Sequence, residues 1–275
     1  MKAAATLVAG VALLPPFTVS AQGPSGGQVI AGVIPGGPRP ALVYLPPAYG
    51  ASDVRYPVVY LLHGLPGSPS EYIDGAQLLT FADTEIKSGR MQPFIAVMPS
   101  AGTSHAYRGE WAGNWERYVV DDVVPWADTH FRTLRDPAAR TIAGLSAGGF
   151  GAVDIALHSL RMFGTAESWS GYFTPLHDTP FTHASLAVLR ANDPTLLVAR
   201  DFAAIRRARL RFYVSTGPTH DHVIPSSETI AFANLLHRLR IPVSLSTYRL
   251  RRGEWRAQVQ AGLTWAFGST PQSST

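Results

Sequence analysis

The run Gly144-Leu145-Ser146-Ala147-Gly148 constrains this chain more than any other feature. The short stretch Thr141-Ile142-Ala143 precedes it, and Gly149-Phe150-Gly151-Ala152 follows. The pattern predicts a strand that turns sharply into a helix, with a serine at the apex. Gly144 and Gly148 leave room for the backbones to approach, so the Ser146 hydroxyl can stand clear of the sheet. The N-terminal N–H groups of the next helix then point to where an oxyanion would form. A strand handed directly to a helix is the repeating unit of an α/β sheet, and a serine at such a tip suits acyl transfer.

The surrounding sequence repeats that alternation. Tyr56 to Leu62 is a nearly continuous apolar run ended by His63-Gly64, as expected of a strand buried on both faces. Ala41 to Leu45, Phe94 to Met98, Thr165 to Trp169, Leu210 to Ser215 and Val243 to Tyr248 read as further strands. Helices are predicted over Glu71 to Ser88, Trp115 to Phe131, Gly148 to Leu160, Pro225 to Leu239 and Trp255 to Phe267. Ser226 or Ser227 is the expected N-cap of the fourth. Residues 172–205 lack strong periodicity and read as an insertion over the site. The predicted architecture is a mostly parallel central sheet with helices on both faces.

The chain has 275 residues and a formal charge of +4, with nearly half its residues apolar. One α/β domain over residues 41–268 fits that length. Residues 22–40 read as a Gly/Pro-rich N-terminal segment, a loose entry strand or a linker, and 269–275 as a flexible tail. Arginines gather at Arg206, Arg207, Arg209 and Arg211 and again at Arg249, Arg251 and Arg252. They read as a solvated basic face, and no aromatic-interleaved stripe points to nucleic acid. Lys2, the small and apolar run Ala3 to Leu14 and Val19-Ser20-Ala21 read as a signal peptide over residues 1–21. The expectation is a secreted or extracytoplasmic protein. There is no cysteine, hence no disulfide and no thiol nucleophile.

A serine nucleophile needs an oxyanion hole, an orienting acid and a base. His63-Gly64-Leu65-Pro66-Gly67 ends a buried strand in a Gly-rich turn, and the Leu65 N–H is the expected partner of the Ala147 N–H. His63 is read as fixing this turn by hydrogen bonding. Thr216 to His222 follows a late strand, which makes Asp221 the candidate acid, with Glu228 a weaker rival. His105, His130, His158, His177, His183 and His237 lack the spacing of a metal site, so neither metal nor cofactor is expected.

The segments VYLPPAY (43–49), YPVVYLLHGLPG (56–67), NWERYVVDDVVP (114–125), IAGLSAGGFGA (142–152) and STGPTHD (215–221) resemble the putative-esterase family of α/β-hydrolases. That family includes esterase D, S-formylglutathione hydrolase and the secreted mycolyltransferases. The resemblance covers residues 40–268 and implies an α/β-hydrolase fold. It also implies a nucleophile at Ser146, oxyanion amides at Leu65 and Ala147 and an acid at Asp221. The family histidine lies in a Gly-Gly-His or Gly-x-His turn, with one residue between it and a Trp that opens the last helix. Here Leu250-Arg251-Arg252-Gly253-Glu254-Trp255 occupies that turn. Gly253, or Glu254 with a slip of one, stands where histidine belongs.

His220, His222 and Glu254 are the remaining candidates for a base. A carboxylate near its ordinary pKa of ~4 is a weak one unless burial raises it. Two functions follow. One is an esterase or acyltransferase working through acyl-Ser146 on a small-molecule or lipid ester, slowed by the missing histidine. The other is a catalytically inactive hydrolase scaffold, secreted as a glycan-, lipid- or envelope-binding protein.

Overall fold

A computed structural model describes residues 17–51, 53–101, 111–176, 181–217, 225–249 and 254–269. The apolar run before His63 forms β4 (Val58–Leu62), and all five of its residues are buried. Such burial follows from its central place in a nine-stranded sheet of order β1-β2-β3-β5-β4-β6-β7-β8-β9. The strands are β1 (Thr18–Gln22), β2 (Gln28–Gly32), β3 (Ala41–Leu45), β5 (Ile95–Met98), β6 (Arg140–Leu145), β7 (Thr165–Trp169), β8 (Arg211–Thr216) and β9 (Val243–Thr247). From β5 through β4 to β9 the pairing is parallel, and β1, β2 and β3 join antiparallel at one edge.

Helices cover both faces, as the alternation predicts. The helices in chain order are α1 (Leu78–Lys87), α2 (Asn114–Arg117), α3 (Val124–His130), α4 (Ala147–His158), α5 (Leu186–Ala191), α6 (Pro194–Ala208), α7 (Ser226–Arg238) and α8 (Glu254–Phe267). One core layer joins the sheet to α3, α4, α6 and α7 through Trp126, Phe150, Val198 and Phe232. The other joins it to α1 and α8 through Leu78, Ala82, Val259 and Leu263. No helix among the described residues is long and apolar enough to cross a membrane.

Four expectations are corrected. Of the two readings of residues 22–40 the strand holds and the linker does not: they carry β2, and the turn before it is pinned by a buried carboxylate. Asp83 on α1 accepts from Ser25 N–H (2.9 Å), Gly27 N–H (3.0 Å) and the Tyr44 hydroxyl (3.0 Å). The stretch 172–205 is not all cover over the site. Its α6 buries Leu197, Val198 and Ile205 and packs against α4. The helix predicted over 115–131 is split by a π-helical stretch, Tyr118–Val123. Pro125 has no N–H to return to the preceding turn, and the wider turn accommodates that loss. Neither Ser226 nor Ser227 caps α7: Pro225 holds that position.

Residues 1–16 lie outside the described residues, as does the tail beyond 269. The junction expected after Ala21 falls inside β1, where Ala21 pairs with Val29.

The glycines around Ser146 are where the fold is tightest. A Cβ on Gly148 would stand 1.8 Å from the Leu62 carbonyl oxygen, and one on Gly144 would stand 2.3 Å from the Gly148 backbone. Both contacts are to backbone and cannot yield by a rotamer change. Gly148→Ala is therefore expected to cost about 2–4 kcal/mol despite alanine's higher helix propensity. Urea denaturation checks this, and an unchanged midpoint would sink it.

Candidate active site

Ser146 stands between β6 and α4 with φ 54° and ψ −117°. A non-glycine residue there is strained by about 1–3 kcal/mol, which the surroundings must offset. They do so through three backbone hydrogen bonds. Ser146 N–H donates to the Trp169 carbonyl (2.9 Å), and the Ser146 carbonyl accepts from Gly149 N–H (2.8 Å) and Phe150 N–H (3.0 Å). The side chain does not cap the helix, so its hydroxyl is not consumed by α4.

The turn after β4 lies against this serine. A Cβ on Gly64 would come within 3.5 Å of the Ser146 Cβ. Leu65 is in that turn and 37% exposed. Ala147 opens α4, where helical geometry leaves its N–H without an intrahelical acceptor. The turn that carries Leu65 and the first residue of α4 thus both adjoin Ser146. His63 is fully buried and structural, as expected. Its Nδ1 faces the Gly64 carbonyl at 2.8 Å, and its Nε2 accepts from Ala101 N–H at 3.2 Å. That pairing makes Nδ1 the protonated nitrogen of a neutral ring. Burial lowers its pKa and keeps the ring neutral.

Two supports were not foreseen. Glu71, in the π-helical stretch Glu71–Gly75, folds back onto the same turn. Its carboxyl accepts backbone hydrogen bonds from Ser68 and Gly64, and burial pushes its pKa up to about 7. A Cβ on Gly67 would stand 2.7 Å from its Oε1. The second support is Gln258 on α8, only 1% exposed. It accepts from the Ser215 hydroxyl (2.7 Å) and donates to the Ser170 hydroxyl (2.8 Å). Ser170 follows β7 beside Ser146, with φ 49°. Gln258 therefore ties the start of α8 to the strand ends that carry the site. Its signal in the sequence was a polar residue on the apolar stripe Trp255, Val259, Leu263. Glu71 gave no such signal.

Asp221, His220 and His222 lie outside the described residues, as do Gly253 and the side chain of Glu254. Their anchors are placed. The loop holding Asp221 leaves β8, the neighbour of β7. Glu254 opens α8, and Trp255 beside it packs on Gly75, where a Cβ would meet its ring at 2.1 Å. Glu228, the weaker rival for the acid, is engaged: its Oε1 accepts from Phe173 N–H at 2.7 Å. Of the other histidines, His177 lies outside the described residues and His183 is exposed.

A serine held at a strained strand-to-helix turn in a mostly parallel sheet defines an α/β-hydrolase of esterase type. Residues 33–261 match the family described as "Putative esterase", and the chain belongs to it. It is 34% identical over 134 residues to an esterase of Mycobacterium tuberculosis (strain ATCC 25618 / H37Rv), a match covering 47% of this chain and 28% of that protein. It is 34% identical over 132 residues to an endo-1,4-beta-xylanase/feruloyl esterase of Xylanibacter ruminicola, covering 45% and 18%. The matches thus span less than a third of these relatives' length. Among solved structures, a ferulic acid esterase superposes with a TM-score of 0.75 at 21% identity, covering 88% of this chain and 97% of that one. An S-formylglutathione hydrolase from Staphylococcus aureus superposes at 0.69 with 19% identity, covering 88% and 99%.

Proposed function

We propose that this protein is a carboxylic ester hydrolase or acyltransferase in which Ser146 carries the acyl group. The observation that carries the reading is the Ser146 backbone, strained at φ 54° with its side chain left out of the helix cap. In the proposed reaction the Ser146 Oγ attacks the ester carbonyl, and the Leu65 and Ala147 N–H groups receive the oxyanion. The alcohol leaves, and water or a second alcohol takes the acyl group from Ser146. Asp221 is the proposed acid. The named activities of the relatives support a small ester as substrate.

No histidine follows His237 in the chain, so the attacking hydroxyl lacks the base that the family resemblance implies. The proposal is accordingly a slow enzyme, with His220, His222 or Glu254 as the base at hand. Export is proposed on the N-terminal pattern, and N-terminal sequencing of the mature protein checks it.

A fluorophosphonate separates this reading from an inactive scaffold, since it reacts only with an activated serine. The expected result is a single adduct mapped by peptide mass to Ser146 and absent from Ser146→Ala. An adduct elsewhere, or none after prolonged exposure, overturns the assignment.

A further inference from the structure

The far end of α4 carries a second group of chemistry-bearing side chains, on the helix that begins at Ser146. Asp154 and His158 are one turn apart there, and Glu116 reaches them from α2. Their ligating atoms all lie within 4.8 Å of one another. His158 Nδ1 is 2.9 Å from Glu116 Oε1 and 3.9 Å from Asp154 Oδ2. The other ring nitrogen, Nε2, is 2.8 Å from the Ala191 carbonyl at the end of α5.

Asp154 is the member that internal pairing does not explain. It is fully buried, and among the described residues neither of its carboxylate oxygens has a hydrogen-bond partner. A buried carboxylate without donors is costly. Asp193, the N-cap of α6, adds a further carboxylate near it. A proton shared between His158 and Glu116 satisfies those two and leaves Asp154 out.

We propose that Glu116, Asp154 and His158 bind one divalent transition-metal ion of the Zn²⁺ class. The donor set, one imidazole nitrogen and two carboxylates, is one that Zn²⁺ accepts. The imidazole is already oriented for it. A His that ligates through Nδ1 commonly donates its Nε2–H to a backbone carbonyl, and Ala191 supplies that carbonyl. Binding replaces the proton on Nδ1 with the metal and releases that proton to solvent. Tetrahedral ligands at about 2.1 Å from an ion are about 3.4 Å apart, so side-chain rotations of about an ångström close the site. Access is provided by a cleft of about 650 Å³ that His158 helps to line. Of the three arginines in its wall, Arg140 is paired with Asp128 and Arg200 with Asp201, and Arg161 is the third. The ion would join α2, α4 and the end of α5, so its role is to clamp helices outside the proposed catalytic groups. Sequence spacing hid this site, because Glu116 and His158 are 42 residues apart.

The test is isothermal titration of chelator-treated protein with ZnCl₂ near neutral pH, alongside thermal melts with and without the ion. The expected result is one equivalent per chain and a higher melting midpoint. Asp154→Asn, His158→Gln and the milder Glu116→Gln should each weaken binding by ~10²-fold or more. Circular dichroism shows which variants keep the fold, and Glu116→Gln, at a partly exposed position, keeps the test decisive if the others do not. Absence of binding overturns the proposal. So does an affinity unchanged in the folded variants, which would place the ion on other imidazoles.

Discussion

Restoring a histidine at Gly253, or at Glu254 if the turn is slipped by one, is expected to raise kcat/KM for short p-nitrophenyl esters by ~10² or more. That is the size of effect a positioned general base contributes. The step at issue is removal of the Ser146 proton and its delivery to the leaving alcohol. Trp255 on Gly75 and Gln258 on Ser170 fix the start of α8 beside the strand ends that hold Ser146. The cycle with Ser146→Ala is the sharper part. Groups that act as a unit are strongly non-additive. In the histidine variant, Ser146→Ala should erase the whole gain. In the parent it should abolish both the fluorophosphonate adduct and the slow turnover that runs through acyl-Ser146. Asp221→Asn should shrink the gain. Histidine variants no faster than the parent would sink the alignment of this turn. A parent as fast as an ordinary esterase would transfer the role to His220 or His222.

What could be read from the sequence was local. β4 and β5 announce themselves as apolar runs because they are covered on both faces. Ser146 does so because a sharp strand-to-helix turn demands glycine on either side. What could not be read depends on partners far along the chain. Whether the Gly/Pro-rich segment before β3 was strand or linker could not be read, because the turn into β2 is held by Asp83, 56 residues on. α6 looked irregular because its exposed face carries Arg200, Arg206 and Arg207, while Leu197, Val198 and Ile205 bury the other. Part of the late arginine cluster is likewise built in: Arg211 bonds Thr165 Oγ1 and lies over the Trp265 ring. Around Ser146, the turn after β4 was legible from its glycines. The carboxyl of Glu71 that holds that turn was not, since nothing local demands it.

Glu167→Gln is expected to reshape the pH dependence of stability. Glu167 is in the middle of β7, flanked by β6 and β8, and is fully buried. Its Oε2 accepts from Trp169 Nε1–H at 3.1 Å, while Oε1 has no hydrogen-bond partner among the described residues. Burial pushes its pKa up to about 8, against the smaller opposing pulls of the Trp169 hydrogen bond and the Arg211 charge. Between the ordinary carboxyl pKa of 4.5 and that value, the native state holds a proton that the unfolded chain has lost. Stability must therefore fall as pH rises through this window, at up to ~1.4 kcal/mol per pH unit. The contribution is fully present below about pH 4.5 and gone above about pH 8, a change on the order of 5 kcal/mol. Glu71, with its pKa raised to about 7, adds a smaller effect of the same sign, reduced because it is only partly buried. Glutamine keeps an acceptor for Trp169 and never ionises. The variant should match the parent near pH 5 and exceed it by about 4 kcal/mol near pH 8.5, with a flatter profile. Urea denaturation of chelator-treated protein at pH 5, 7 and 8.5 measures both curves. Parallel curves would mean that Glu167 stays ionised in its buried position, with Arg211 close enough to hold the charge.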